Sequence, residues 1–99
     1  MSNKKNMKDK AQDALDDLRL KTVPLGVYKH WKGALYVVYG LTVHEETLEV
    51  LVHYYSCLQH TRWTRTLHNF TEDVENGRRF LFQRDATVAE LLEAAGYVE

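Results

Sequence analysis

The stretch LYVVYGLTVHEETLEVLVHYY, residues 35–55, decides the fold. Its first part, Leu35 to Thr42, and its last part, Leu48 to Tyr55, are almost continuously aliphatic, β-branched or aromatic, which is typical of β-strands. Residues 44–47, which lie between these two parts, are polar and predict a turn. The two strands should therefore pair as an antiparallel hairpin.

Both faces of this hairpin are apolar. In the first strand Val37 and Tyr39 lie on one face, while Tyr36 and Val38 lie on the other. A sheet with one solvated face would alternate between apolar and polar residues, and this one does not. Something must cover the second face, and we expect helices that flank the strands to do so. A homodimer interface is the alternative.

Shorter strands are predicted on either side of the hairpin. They cover residues 28–32, 63–65 and 79–82, and the spacing of Leu67 and Phe70 predicts a helical turn before the last of them. Five antiparallel strands with a turn at that point indicate a small SH3-like β-barrel, or else a bent sheet, over residues 25–84. With its flanking helices the chain is predicted to be an α+β protein.

The first flanking helix is predicted in residues 1–24. Met7, Ala11, Ala14, Leu15 and Leu18 recur at helical spacing, which gives an amphipathic helix over about residues 6–20. Pro24, the one proline, separates this helix from the strands.

The second flanking helix is predicted in residues 85–99. Thr87 followed by Glu90 is a capping box, and Gly96 stands where a C-terminal cap belongs. We predict that one pair of leucines, Leu15 and Leu18 or Leu91 and Leu92, is buried against the hairpin face. That face includes Val37, Tyr39 and Leu51.

Length and composition limit the class of protein. The chain has 99 residues, 44% hydrophobic and 27% charged, which suits one globular domain. It has no apolar run near the roughly 20 residues of a membrane span, and Cys57 is its single cysteine. We therefore expect a cytoplasmic protein without membrane contact, in a bacterial cell or one infected by a phage.

Charge is distributed unevenly along the chain. The net charge is −1, but residues 1–21 carry +2, residues 22–84 carry +1 and residues 85–99 carry −4. In most proteins, charge concentrated near a chain end lies on a solvated face. The alternative for this chain is a basic N-terminal arm that contacts phosphates.

The ordered motifs of the strand-rich part resemble a known family. They are GxYxHWKGxxYxVxG at 26–40, HxETxExxVxY at 44–54, WxRxLxxFxExV at 63–74, and Arg79-Phe80. This series resembles the bacterial and phage family called domain of unknown function 1653. The resemblance implies a compact domain of roughly 60 residues, outside which the flanking helices lie, and it implies no established activity.

Two positions depart from the family pattern. The family usually has arginine where Tyr55 stands and proline where Thr66 stands. If that arginine is a ligand contact in the family, this chain binds something different.

Polar residues of the same motifs are the candidate ligand site. They sit at predicted strand ends or turns, where small β-domains place binding surfaces, and they are His30, Lys32, His44, Glu46, Trp63 and Arg65. Stacking rings beside a few cations suit a base, a nucleotide or an extended peptide. The alternative is structural: the aromatic residues form the core, and Arg65 pairs with Glu46 or Glu72.

Other site chemistries have weaker support. His30, His44 and Glu46 could supply metal ligands or acid–base groups, but none of the five histidines has the helical spacing of a zinc motif. Cys57 ends an apolar strand, and we expect it to be inert packing. We assign no catalytic residue, no metal and no cofactor.

The sequence thus predicts a small binding module for a nucleotide, a nucleic acid or a peptide. The alternatives are a protein–protein interaction factor that docks on a host or cellular protein, and a small hydrolase-like enzyme that uses His and Glu. The monomer and the homodimer both stay open. If His30 and His44 face the ligand, anion affinity should rise as the pH falls from about 7.5 to about 6.

Overall fold

A computed structural model of the chain describes residues 23–75 and 77–97. The predicted N-terminal helix over residues 6–20, with Leu15 and Leu18, lies outside the described residues. The elements in chain order are β1 (Gly26–His30), β2 (Leu35–Val43), β3 (Val50–Ser56), β4 (Arg62–Thr66), α1 (Leu67–Phe70), β5 (Asp73–Val74), β6 (Gly77–Arg78), β7 (Phe80–Arg84) and α2 (Val88–Ala95).

Five strands form one antiparallel sheet in the order β4-β3-β2-β1-β7. This confirms the predicted hairpin of β2 and β3, the five-strand count and the helical turn at Leu67–Phe70. The two-residue strands β5 and β6 were not predicted; they pair with each other apart from the main sheet.

The sheet is open, because no pairing joins its edge strands β4 and β7 within the described residues. A bent sheet therefore describes the domain, and a closed SH3-like barrel is not shown. The chain leaves β4 at one edge, passes through α1 and the β5–β6 hairpin, and enters β7 at the other edge. This crossing puts Phe70 into the core between the two edges.

The inner face of the sheet, which carries Tyr28, Val38, Val52 and Tyr54, holds the main core. Phe70 of α1 stacks on Phe80 with ring centroids 4.2 Å apart and an angle of 5° between the ring planes. Tyr28 and Tyr54 meet the Phe70 ring edge-on at 5.4 and 5.5 Å, which is a favoured aromatic arrangement. Tyr28 and Tyr54 therefore belong to the core, which is the structural alternative considered for the aromatic residues.

The outer face, which carries Val27, Val37 and Tyr55, is covered by α2. Ala94 is fully buried against it, and Leu91 packs on the same cluster, as does Tyr39. The predicted contact is thus seen for Leu91, which is partly buried, and the prediction is wrong for Leu92, which is 47% exposed. The cause is helical geometry, since Leu91 and Ala94 are three residues apart and share a side, whereas Leu92 is turned by about 100°.

The ends of α2 follow the sequence signals. Thr87 and Glu90 form both hydrogen bonds of the capping box, and Gly96 takes the left-handed conformation at φ 97°. A two-pronged pair with Arg84, with N–O distances of 2.9 Å, lowers the pKa of Glu90 to about 2.

The C-terminal end of α2 makes a further contact, which no sequence pattern predicted. Arg62 of β4 donates from Nε to the Ala94 carbonyl at 2.7 Å and from Nη2 to the Glu93 carbonyl at 3.1 Å. A cation suits the negative end of a helix dipole and satisfies carbonyls that the helix leaves unpaired. Arg62 therefore fixes α2 to the edge of the sheet.

Replacing Leu91 by Ala should destabilise the protein, because Leu91 fills the contact between α2 and the outer face. We expect a loss of about 1–2 kcal/mol in the free energy of unfolding, below the roughly 2–5 kcal/mol of a fully buried leucine. Urea denaturation measures it. Leu92→Ala is the matched control and should stay within about 0.5 kcal/mol of the wild type. Equal losses in the two variants would contradict the observed orientation of α2.

His53 makes the stability depend on pH. Its Nε2 lies 2.7 Å from the Thr42 hydroxyl and its Nδ1 lies 3.1 Å from the Thr64 hydroxyl, and burial lowers its pKa. The unfolded chain then binds a proton at His53 more readily than the folded chain does. The contribution of neutral His53 to the free energy of unfolding is complete at pH values above the unfolded pKa of 6.5, and it is lost as the pH falls below that value.

The matching experiment compares the melting temperature of the wild type and of His53→Gln between pH 7.5 and 5. On acidification, the melting temperature of the wild type should fall further than that of the variant. Parallel curves would show that His53 does not titrate on unfolding.

Candidate functional site

Four basic side chains come together beside the inner face, and we call them the basic cluster: His30, Lys32, Arg65 and Arg79. They arrive from different parts of the chain, since His30 ends β1, Lys32 lies in the β1–β2 turn, Arg65 lies on β4 and Arg79 directly precedes β7. Burial lowers the pKa of His30, and the charges of Arg79, Lys32 and Arg65 lower it further. Burial and the neighbouring charges therefore both favour the neutral form of the His30 ring.

His30 is held by its neighbours in one tautomer. Its Nδ1 accepts a hydrogen bond from the backbone N–H of Lys32 at 3.2 Å, so the proton of the neutral ring is on Nε2. The ring lies edge-on to Phe80 with centroids 5.0 Å apart. His30 thus keeps a donor at Nε2, while its Nδ1 is bonded to the turn and its ring packs against Phe80.

Arg65 is anchored by the aromatic core. Its Nε donates to the Tyr54 hydroxyl at 3.0 Å, and it lies opposite Val52 in the β3–β4 register, on the inner face. The ion pairs with Glu46 or Glu72 that the sequence left open are not formed. In the described part of the chain, no carboxylate lies within 4.0 Å of its guanidinium.

Arg79 is the one member of the basic cluster that was not among the predicted site residues. It donates from Nη2 to Glu72 Oε1 at 2.8 Å, and its backbone carbonyl accepts from the N–H of Trp31 at 2.9 Å. Its Nε is buried and has no hydrogen-bond partner among the described residues. No local pattern marked Arg79 as a site residue, because Trp31 and His30, its neighbours in space, are far away in the chain.

Two exposed tryptophans border this region. Trp31 is 42% exposed, and Lys32 Nζ lies 5.1 Å from the centre of its ring. Trp63 is 46% exposed and lies opposite Tyr54, two residues from Arg65 on the same face of β4. The aromatic residues of the motifs therefore divide: the tyrosines belong to the core, and the tryptophans stay at the surface.

His44 and Glu46 lie elsewhere. They belong to the turn between β2 and β3, whereas Lys32 lies in the turn at the opposite end of β2. The nine residues of β2 span about 30 Å, so the two turns are far apart along the sheet. Nδ1 of His44 accepts from the N–H groups of Glu46 and Thr47 at 3.2 and 3.3 Å, which makes His44 part of its own turn.

The six predicted site residues therefore form two groups. The charges of Lys32, Arg65 and Arg79 act on His30, and Trp63 lies two residues from Arg65 on the same face of β4. His44 and Glu46 lie in the turn between β2 and β3, at the opposite end of β2 from Lys32. No three His, Cys, Asp or Glu side chains of the described residues lie close enough to share a metal ion.

Cys57 differs from its prediction. It lies in the turn after β3 and is exposed, so it does not pack in the core. Partial burial together with Glu90 and Glu93 raises the pKa of its thiol. The thiolate, which is the nucleophilic form, is therefore disfavoured.

Over residues 23–75 and 77–97, no helix has the length and apolar character needed to cross a bilayer.

Comparisons with known proteins agree on one family. The family model described as "Protein of unknown function (DUF1653)" matches residues 26–82. A crystal structure of a DUF1653 protein from Bordetella bronchiseptica is similar at 32% sequence identity, with a TM-score of 0.58, over 68% of this chain and 95% of that one. A search of the curated proteins finds no match.

Replacing Arg79 by Gln should raise the pKa of His30, because it removes one of the three charges that oppose protonation. The rise should be partial, since burial is the largest cause of the lowered pKa and remains. A titration of the imidazole signals by NMR measures it. Arg84→Gln removes a charge far from His30 and should leave the titration unchanged, and an unaltered His30 in Arg79→Gln would show that the two groups do not interact.

Proposed function

Because the chain belongs to the DUF1653 family, whose description assigns no activity, we propose its function from the geometry of this domain. It is a small binding module that recognises a nucleotide or a nucleic acid. The ligand surface consists of the basic cluster together with Trp31 and Trp63.

The observation that carries the proposal is an excess of positive charge at one place on a chain whose net charge is −1. Glu72 neutralises Arg79, while neither Arg65 nor Lys32 has a carboxylate partner within 4.0 Å in the described ranges. Like charges repel, so holding them together costs free energy unless an anion compensates them. Guanidinium and ammonium groups are the usual protein partners of phosphate.

In this proposal the two tryptophans contact the aromatic part of the ligand. Large apolar rings gain free energy from burial, yet Trp31 and Trp63 each keep more than two fifths of their surface in water. Such rings beside cations provide stacking surfaces for bases in proteins that bind single strands. A ligand that combines a phosphate with a base would use both features at once.

Docking on another protein, the alternative function, remains a prediction. The outer face has one feature that would suit it: exposed Leu35 and Leu81 lie on either side of Lys29 in the strand register. This row lies across β2, β1 and β7.

The proposed function is tested by titrating the full chain with a single-stranded oligonucleotide and with a nucleoside triphosphate. Tryptophan fluorescence and calorimetry should both report binding, and the affinity should fall as salt is raised. Arg65→Gln should weaken binding about tenfold or more while shifting the melting temperature only slightly, because a charge-assisted hydrogen bond is lost at the surface.

Arg84→Gln is the matched control, since it removes the same charge at a different place and should bind like the wild type. Trp63→Phe keeps a smaller ring and should reduce the fluorescence change. The proposal fails if neither ligand binds, or if Arg65→Gln and Arg84→Gln lose the same affinity.

A further inference from the structure

We propose that Trp63 and Arg65 act together on one nucleotide unit: the indole stacks on an unpaired base, and the guanidinium holds the adjoining phosphate. The ligand is then a single strand or a free nucleotide, which share this chemistry, and a duplex is a poor ligand. This inference rests on the proposed function, because it names the class of nucleic acid that the site accepts.

The strand register places both side chains on the inner face of β4. Trp63 lies opposite Tyr54 and Arg65 lies opposite Val52, while Thr64 between them belongs to the outer face. Since a strand rises about 3.3 Å per residue, two residues with this spacing are close neighbours on one face. Among the described residues β4 is an edge strand, so no further strand lies beside this pair on its outer side.

Tyr54 acts as a positioning residue for the pair. Its ring packs edge-on against Phe70 and Phe80 in the core, and its hydroxyl accepts a hydrogen bond from Arg65 Nε at 3.0 Å. Within residues 23–75 and 77–97, no carboxylate lies within 4.0 Å of the Arg65 guanidinium. Because Tyr54 is also the cross-strand neighbour of Trp63, one buried side chain holds Arg65 by Nε and leaves its terminal nitrogens for an anion.

The exposed indole is what distinguishes an unpaired base from a paired one. Trp63 is 46% exposed, so its ring is accessible to a ligand. Stacking on an aromatic side chain requires a free face of the base. Inside a duplex the neighbouring base pairs cover these faces, and unstacking a base costs free energy. A duplex therefore offers its phosphates to Arg65 but no base to Trp63, whereas a single strand offers both.

The experiment uses one short DNA sequence as a single strand and as a blunt-ended duplex, with a nucleoside monophosphate as a third ligand. Calorimetry on the full chain gives the three dissociation constants at one pH and one salt concentration. We expect the single strand to bind at least about tenfold more tightly than the duplex, as one stacked base would give. The monophosphate separates the sources: equal affinity indicates a free nucleotide, and a tighter strand indicates a polymer.

Matched variants identify the place of binding. Trp63→Leu keeps an apolar side chain but removes the stacking ring, and it should reduce the preference for the single strand to about threefold or less, whereas Trp63→Phe should retain part of it. Leu81→Ala is the control, because Leu81 is a similarly exposed apolar residue on the opposite edge strand and on the outer face. This variant should keep the full preference.

A variant of Tyr54 tests how Arg65 is held. Tyr54→Phe keeps the ring in the core and removes the hydroxyl, so the affinity for the single strand should fall severalfold. The dependence of the affinity on salt should stay as in the wild type, because the charge of Arg65 remains, whereas Arg65→Gln should weaken that dependence. Wild-type affinity in Tyr54→Phe would overturn the positioning role of Tyr54.

Equal or tighter binding of the duplex would overturn this inference and leave the proposed function standing. Absence of binding by all three ligands would overturn both. A full preference for the single strand in Trp63→Leu, or its loss in Leu81→Ala as well, would show that the indole of Trp63 does not make the selection, and would also overturn the inference.

Discussion

The stacking of Phe70 on Phe80 joins the two halves of the chain. Phe70 lies on α1 after β4, Phe80 begins β7 at the other edge of the sheet, and their parallel rings hold the crossing segment against the inner face. The edge contacts of Tyr28 and Tyr54 surround this pair. Phe80 also meets Tyr36 and Tyr54 edge-on at 5.6 and 5.3 Å, so β7 is packed against the core as well as paired with β1.

The candidate site depends on the same contact. Arg79 directly precedes Phe80, and Arg65 is bound to the Tyr54 hydroxyl, whose ring lies in the core. The stack therefore sets where both arginines leave the core. Fixed cations lose little entropy when a ligand arrives, which is the advantage of mounting them on packed aromatic rings instead of on free loops.

The histidines show how polar groups are used in so small a domain. His44 bonds the backbone of its own turn, His53 lies between two threonine hydroxyls, and His60 lies 2.8 Å from the Tyr55 hydroxyl. Each of these rings has a local partner that explains its presence. His30 also accepts a hydrogen bond from the backbone of its own turn, and it differs in that the charges of Arg79, Lys32 and Arg65 act on it and lower its pKa. For this reason it is the histidine of the candidate site.

Sequence by itself determined the features that depend on neighbours along the chain. The strands of residues 35–55, the turn at Leu67–Phe70 and both caps of α2 follow from periodicity and from capping residues a few positions apart. Only the tertiary structure decided the open sheet, the helix contact of Arg62 and the meeting of Arg65 with Arg79 beside His30. These depend on strand register, twist and the chain crossing, which bring together residues that no local pattern links. The same reason separates His44 and Glu46 from Lys32, since the length of β2 decides which turns can meet.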